Sequence, residues 1–289
     1  MDNMRGAVLM TLAMLGFSGG DLFIKLMTET LPTGQILTVM GVLGSAVFAL
    51  VLRLRGRALL HRAMASPVVL LRNGGEIVAT VCFITALSLT TFSLASTIIQ
   101  TTPLAVTLGA ALVLREPVGW RRWSAICVGF AGVLIVMRPS AEGIDTGAVF
   151  ALLAVLGLAV RDLSTRMVPA AVDSLQLTFL GFIAQIPAGL LLWWAEGRTG
   201  VAMGALHWAQ ILSTVTLIGL AYVALVTAMR VGEVSFVTPL RYTRIVFALV
   251  LGVLVFGDRL DGPMLLGCAI IAAAGIYTVV RERKIRAAA

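Results

Sequence analysis

The sequence predicts an all-α membrane protein of ten transmembrane helices, arranged as two inverted five-helix repeats around a central cavity. Three observations predict it. Mean hydropathy is +1.01 with only 12% charged residues, outside the range of a soluble globular domain. Ten apolar segments are each long enough to cross a hydrocarbon core that takes about 20 helical residues to span. Residues 6–27 recur, at a shift of 141, as residues 147–168.

The segments run over residues 4–25, 34–52, 68–89, 94–114, 120–137, 146–167, 175–195, 208–229, 235–256 and 263–280. The repeat matches Gly6 with Gly147, Gly16 with Gly157, Asp21 with Asp162 and Lys25 with Arg166. At a shift of 142, residues 86–116 lie against 228–258, so that Ser93 meets Ser235, Ser96 meets Thr238 and Glu116 meets Asp258. The expected units are residues 1–139 and 146–282, followed by a cytoplasmic tail over 283–289. Five spans per unit is an odd number, which turns the copies upside down relative to each other.

Lysine and arginine concentrate in the loops on the side of the N-terminus, including Arg53, Arg55, Arg57, Arg62, Arg121 and Arg122, whereas the opposite side holds only Lys25, Arg138, Arg198 and Arg259. Both termini are therefore expected in the cytoplasm, with the chain in a bacterial inner membrane. The net charge of +8 then belongs to short inner loops facing anionic lipid, and a nucleic-acid partner is not expected. The first apolar segment reads as a retained span, not a cleaved signal. Cys82, Cys127 and Cys268 fall within spans without metal-ligand spacing. The five tryptophans lie near span ends as an interfacial belt. His61 and His207 belong to no catalytic or metal motif, and no phosphate-binding Gly-rich loop is present, so an enzyme, a cofactor or direct use of ATP is not expected. No obligate protein partner is evident; the expected partners are the bilayer and a small molecule.

Charge in hydrocarbon costs about 2.5–3.5 kcal/mol per residue on insertion scales, so an ionisable side chain there needs a cavity or a partner. Arg72 and Glu76, four apart in the third span, share a helix face and are expected to pair. Glu76 lies about 14 Å past Pro67, near the midplane. It is either a structural partner of Arg72 or a carboxylate that exchanges a proton or holds a substrate amine. In the ninth span Arg241 and Arg244 lie about 9 and 14 Å from the inner end. Arg241 is expected to snorkel to the surface; Arg244 sits too deep for that. Adjacent Arg161 and Asp162 point in different directions, so each is expected to find a separate partner. Asp21 and Asp162, at matching ends of inverted helices, suit gates closed alternately by ion pairs.

Ser93, Ser96, Thr97, Gln100, Thr101 and Thr107 form a polar stripe on the fourth span. It is repeated on the ninth by Ser235, Thr238, Tyr242 and Thr243. Two such stripes favour a shared water-filled path over simple helix–helix hydrogen bonding. Pro103, following Gln100–Thr102, either frees backbone carbonyls for a ligand or only kinks the helix. Energy for any movement through such a path comes from an ion gradient or from the solute's own gradient.

The ten-span layout, the repeat, and the apolar runs LGAALVLRE ending at Glu116 and LGVLVFGD ending at Asp258 resemble the ten-helix EamA-domain branch of the drug/metabolite transporter superfamily. Within it the chain is most similar to YddG-type amino-acid exporters. Arg115 before the first acid, where the second copy has Gly257, departs from the pattern, so the two acids are expected only to cap and shape loops. The resemblance implies a cavity lined by spans one, three, four, six, eight and nine, with spans five and ten to one side, and export of small metabolites. An excess of arginine suits a carboxylate there. Glu76, Gln100, Thr101, Tyr242, Thr243 and Arg244 are the candidates to hold the polar ends of an amino acid, and Phe83 its side chain. Asp21, Arg72, Arg161 and Asp162 are candidates for gating or ion pairing. A sugar phosphate or a nucleotide sugar fits the same excess of arginine, a drug-type exporter is a further alternative, and a channel or scaffold is the alternative of another class.

Overall fold

The computed structural model describes residues 2–115, 119–138, 145–169, 171–197, 199–232 and 234–286. The helices are α1 (Asn3–Thr28), α2 (Thr33–Leu54), α3 (Pro67–Leu89), α4 (Phe92–Ile99), α5 (Thr102–Leu112), α6 (Trp120–Met137), α7 (Thr146–Thr165), α8 (Ser174–Glu196), α9 (Ala205–Val231), α10 (Val234–Val237), α11 (Thr243–Phe256) and α12 (Gly262–Arg286). A 3₁₀ turn, Thr238–Tyr242, joins α10 to α11. Among the described residues nine spans are long and apolar enough to cross a membrane, and the apolar part of α6, Trp123–Met137, is a shorter tenth. The chain is an all-α, multi-pass membrane protein.

Local chemistry sets the helix starts. Asp2 accepts from the Arg5 amide to cap α1, and Asp145 accepts from the Ala148 amide to cap α7. At α8, Asp173 and Gln176 form a reciprocal capping box. Pro67 opens α3 at a position where its missing N–H costs nothing.

Each helix finds its main partner in the other half of the chain: α1 with α9, α2 with α8, α3 with α7, α6 with α12, and α4 with α11. Small residues allow the backbones to approach, as association in lipid requires. Gly157 of α7 rests on α3, where an added Cβ would meet Ala79 N at 2.6 Å and Gly75 O at 2.8 Å. Gly16 of α1 rests on α9, where a Cβ would meet Ala221 Cβ at 3.0 Å and Leu217 O at 3.3 Å. These are equivalent positions: residue 16 repeats as 157, 75 as 217 and 79 as 221. The same crossing is thus built twice about a pseudo-two-fold axis, and because each half crosses five times, equivalent helices run in opposite directions. Helices α6 and α12 pair with each other to one side, with Gly132 against Gly267 O and Ile271.

Gly157→Val forces a side chain into α3 backbone and is expected to lower stability by at least about 1–3 kcal/mol. Gly219→Ala, where a Cβ meets nothing within 4 Å, is expected to leave the melting temperature of detergent-purified protein unchanged. The pair of melting curves checks the crossing.

Candidate functional site

The fourth span is broken near mid-length and the ninth near its start, and the breaks touch. Between α4 and α5 the chain tightens at Gln100–Thr101, with Gln100 N donating to Thr97 O and Thr101 N to Ile98 O. Pro103 has no N–H to give Ile99 O, and the Thr102 hydroxyl takes its place at 2.6 Å, while the Thr101 hydroxyl donates to Ile98 O at 2.7 Å. The break is therefore a satisfied kink, not a row of free carbonyls. Across from it, Gln100 Nε2 donates to Arg241 O in the 3₁₀ turn at 3.1 Å. Gln100 thus fixes the backbone of the residue that presents the Arg241 side chain.

Around this junction the intramembrane charges gather from four elements. On α3, Arg72 Nη2 lies 3.0 Å from Glu76 Oε2, one turn along the helix. Arg161 Nη1 of α7 approaches the same Glu76 oxygen at 3.5 Å and binds Asp162 Oδ1 through Nη2 at 2.8 Å. The adjacent pair on α7 bonds to itself, contrary to expectation, because the long arginine chain curls back over the helix surface to its neighbour. Arg72 also donates to Leu177 O of α8 at 3.2 Å. On the ninth span Arg244 Nη2 meets Asp21 Oδ2 of α1 at 2.5 Å and lies over the Phe17 ring at 5.4 Å. Arg241 is exposed and feels Asp162, Arg161 and Arg244. It turns into the same space as the other arginines. Arg241 is exposed and Arg72, Glu76, Arg161 and Asp162 are partly so, and charges at this depth require a polar surrounding. We take the space among α3, α7 and the 3₁₀ turn, beside the Asp21–Arg244 pair, as a recess.

One end of the bundle is sealed. Lys25 Nζ of α1 donates to Leu87 O at 2.5 Å and Thr90 O at 2.9 Å, capping the C-terminus of α3. Asp258, after α11, accepts from the Ser93 amide at 2.8 Å and caps α4. The Thr90 hydroxyl donates to Asp145, and Thr33 and Gly34 of α2 donate to Glu196 of α8. The opposite end is looser. Asp21 is 5% exposed whereas its repeat partner Asp162 is partly exposed, and Leu104 is fully buried whereas its equivalent Val246 is 58% exposed.

The structure distributes the sequence candidates unevenly. Asp21, Arg72, Glu76, Arg161, Asp162 and Arg244 line or underlie the recess, with Gln100 bracing it. Phe83 is half-buried against the core. Ser93, Ser96, Thr97 and Thr101 are buried, so the stripe on the fourth span is a packed seam at the sealed end and not a wet path. Tyr242 is buried too, its ring pressed on α12 at Gly275. The Thr243 hydroxyl is committed to Leu240 O at 2.6 Å. Asp258 caps a helix, as its place in the sequence suggests; Glu116 and the Ser235 side chain lie outside the described residues. Lys25, counted as a loop charge, turns out to be a helix cap.

The chain matches the EamA-like transporter family over residues 4–138 and again over 145–281. It is 30% identical to the riboflavin transporter of Vibrio cholerae over 193 residues, 65% of this chain and 62% of that protein. To the S-adenosylmethionine uptake transporter of Rickettsia bellii it is 24% identical over 68% of this chain and 67% of that one. To the pseudopaline exporter CntI of Pseudomonas aeruginosa it is 24% identical over 94% of both. The chain spans just under two thirds of the length of the riboflavin transporter it matches. A crystal structure 18% identical in sequence superposes with a TM-score of 0.58 over 95% of this chain and 98% of the other. These names bear out the family in the sequence resemblance and not its amino-acid branch.

Arg244→Ala strands the buried Asp21 carboxylate and is expected to cost about 3 kcal/mol, as orphaning a buried charge does. Adding Asp21→Asn is expected to restore more than half of that loss, because the stranded charge is gone. Thermal unfolding of the wild type, both single variants and the double variant measures the coupling.

Proposed function

The chain belongs to the EamA-like transporter family, and on that premise we propose that it is a secondary transporter that exports small metabolites, amino acids first among them, across a bacterial cytoplasmic membrane by alternating access. Proteins of this family move small molecules and are not enzymes. The observation that carries the mechanism is the difference between the two ends. Lys25 and Asp258 hold one end shut over the charged cluster at the middle of the bundle, and the reading takes the other end as its opening. A carrier is sealed at one end at a time.

The excess of arginine in the loops on that side supports a cytoplasmic opening, and on this reading the state is the one that loads cargo for export. The pseudo-two-fold axis supplies the route to the other state. Rocking the halves exchanges the contacts of α1 and α3 for those of their equivalents α7 and α9, opening the far end and closing the near one. The likeness to an exporter over nearly the full length of both chains supports outward movement. Arginines outnumber acids at the recess, which favours a cargo with a carboxylate. The names of the relatives widen the set of solutes to be tried to riboflavin and S-adenosylmethionine, and the arginine excess keeps organic phosphates within it.

Counterflow in proteoliposomes tests this reading: the lumen is loaded with one unlabelled solute at a time, and uptake of labelled phenylalanine, methionine or threonine is followed. Saturable acceleration by amino acids is expected. Acceleration by riboflavin, S-adenosylmethionine or an organic phosphate but by no amino acid rejects the amino-acid reading and keeps the carrier. Flux that never saturates rejects the carrier.

Lys25→Met removes the cap on α3 while keeping the length of the side chain. It is expected to raise hydrogen exchange across residues 87–93 and to leave exchange in the paired helices α2 and α8 unchanged.

A further inference from the structure

The charges of the recess do not cancel. Four arginines, Arg72, Arg161, Arg241 and Arg244, face three acids, Asp21, Glu76 and Asp162, which leaves one positive charge. The geometry says which arginine carries it. Arg244 is matched by Asp21 at 2.5 Å, Arg72 by Glu76 at 3.0 Å, and Arg161 by Asp162 at 2.8 Å with Glu76 beside it. Arg241 has no ion pair among the described residues. The residue is exposed, and its strongest electrostatic neighbour, Asp162, is already bonded to Arg161.

Its placement is specific. Arg241 rises from the break in the ninth span, and Gln100 at the break in the fourth span grips its carbonyl at 3.1 Å. The cation therefore stands where two discontinuous helices cross. Arg244, one turn further in, is shut beneath it with Asp21 and Phe17. A solute entering from the end where α10 begins meets Arg241 before it meets the Arg244–Asp21 pair. Displacing Asp21 from Arg244 strands a buried carboxylate, whereas occupying Arg241 strands nothing.

We propose that Arg241 is the anion-docking residue of the carrier. It takes a single carboxylate of the cargo by a charge-assisted, two-pronged hydrogen bond and leaves the three acid-bearing pairs intact as scaffold. This rests on the carrier reading and sharpens it: cargo is selected for one anionic group, which matches the one unpaired arginine of the recess. Guanidinium and carboxylate match in shape as well as charge, so lysine at this position retains only part of the selectivity.

The test compares a carboxylate with its neutral-headed twin, phenylalanine against phenylalaninamide and methionine against methioninamide, in wild type, Arg241→Gln, Arg241→Lys and Arg244→Gln. Competition in counterflow is read beside ligand-induced change in melting temperature, which needs no transport. For wild type the acid is expected to bind about tenfold to a hundredfold more tightly than the amide, the worth of a hydrogen bond to a charged group. Arg241→Gln is expected to bring the acid down to the level of the amide without changing the amide. Arg241→Lys is expected to fall between the two, and Arg244→Gln to lose stability while keeping the ratio. An unchanged acid-to-amide ratio in Arg241→Gln, or its loss in Arg244→Gln alone, overturns the assignment. So does the absence of any melting shift by a carboxylate in wild type. A melting shift that depends on Arg241 but comes with no counterflow keeps the docking residue and rejects the carrier reading.

Discussion

The site depends on the closeness with which α7 lies on α3. At Gly75 and Gly157 the two backbones touch, and an atom added to either would fall within 2.8 Å of the other chain. Glu76 and Arg161 follow these glycines by one and by four residues. The close approach is what lets a carboxylate on one helix reach a guanidinium on the next. A side chain at either glycine would push the helices apart by an ångström or more. It would then convert a shared network into separate charges in a low-dielectric setting, where an unmatched charge is costly. Packing and electrostatics are thus one constraint here: the small residues do not merely allow association, they set the distance over which the charges cancel.

The repeat uses this crossing twice and charges it once. Where α7 brings Arg161 to Glu76, α1 brings Gly20 to Ile218, whose side chain an added Cβ would strike at 2.7 Å. Arg72 has its counterpart in Thr214, which bonds only to its own helix. The backbone is nearly symmetric and the chemistry is not. Symmetry of the backbone is what exchange between two states needs, since each state reuses the geometry of the other half. Asymmetry of charge is what a defined site needs, since a solute must dock in one orientation. The two copies divide these demands between main chain and side chain.

Legibility followed the range of the interaction. The spans, their number and the repeat were open to view because hydropathy and alignment are properties of contiguous residues. The Arg72–Glu76 pair was legible because residues four apart on a helix always meet. The capping role of Asp258 followed from its place just past an apolar run, although the helix it caps, α4, could not be read from that. What failed was the direction of side chains on kinked helices. Thr101 and Tyr242 lie on what an ideal helix would present as the polar face. Pro103 tightens the one helix and a 3₁₀ turn tightens the other, and both residues end in the core. Lys25 reads as a loop charge because a cation near a span end normally meets water; only tertiary structure shows the carbonyls of α3 waiting there.

The energetics of exchange follow from the same division. A carrier must leave its sealed state at little cost, so the contacts that seal it have to be replaceable in kind. A lysine on terminal carbonyls and a carboxylate on a helix N-terminus are contacts of this sort: each satisfies backbone groups that any helix end leaves open, and any suitably charged residue can supply them. Arg166 repeats Lys25 in the second half of the chain, and Glu116 repeats Asp258 in the first. The caps that seal one end thus have chemical equivalents at the other. The ion pairs of α3 and α7 are the opposite kind of contact. They lie between helices that pair along their whole length, and breaking them would strand charge. They are suited to move as a body with those helices while the caps at the ends are exchanged. In the proposed carrier, a recess built this way would keep its charge pattern through the cycle and offer the cargo the same unmatched cation whichever end is open.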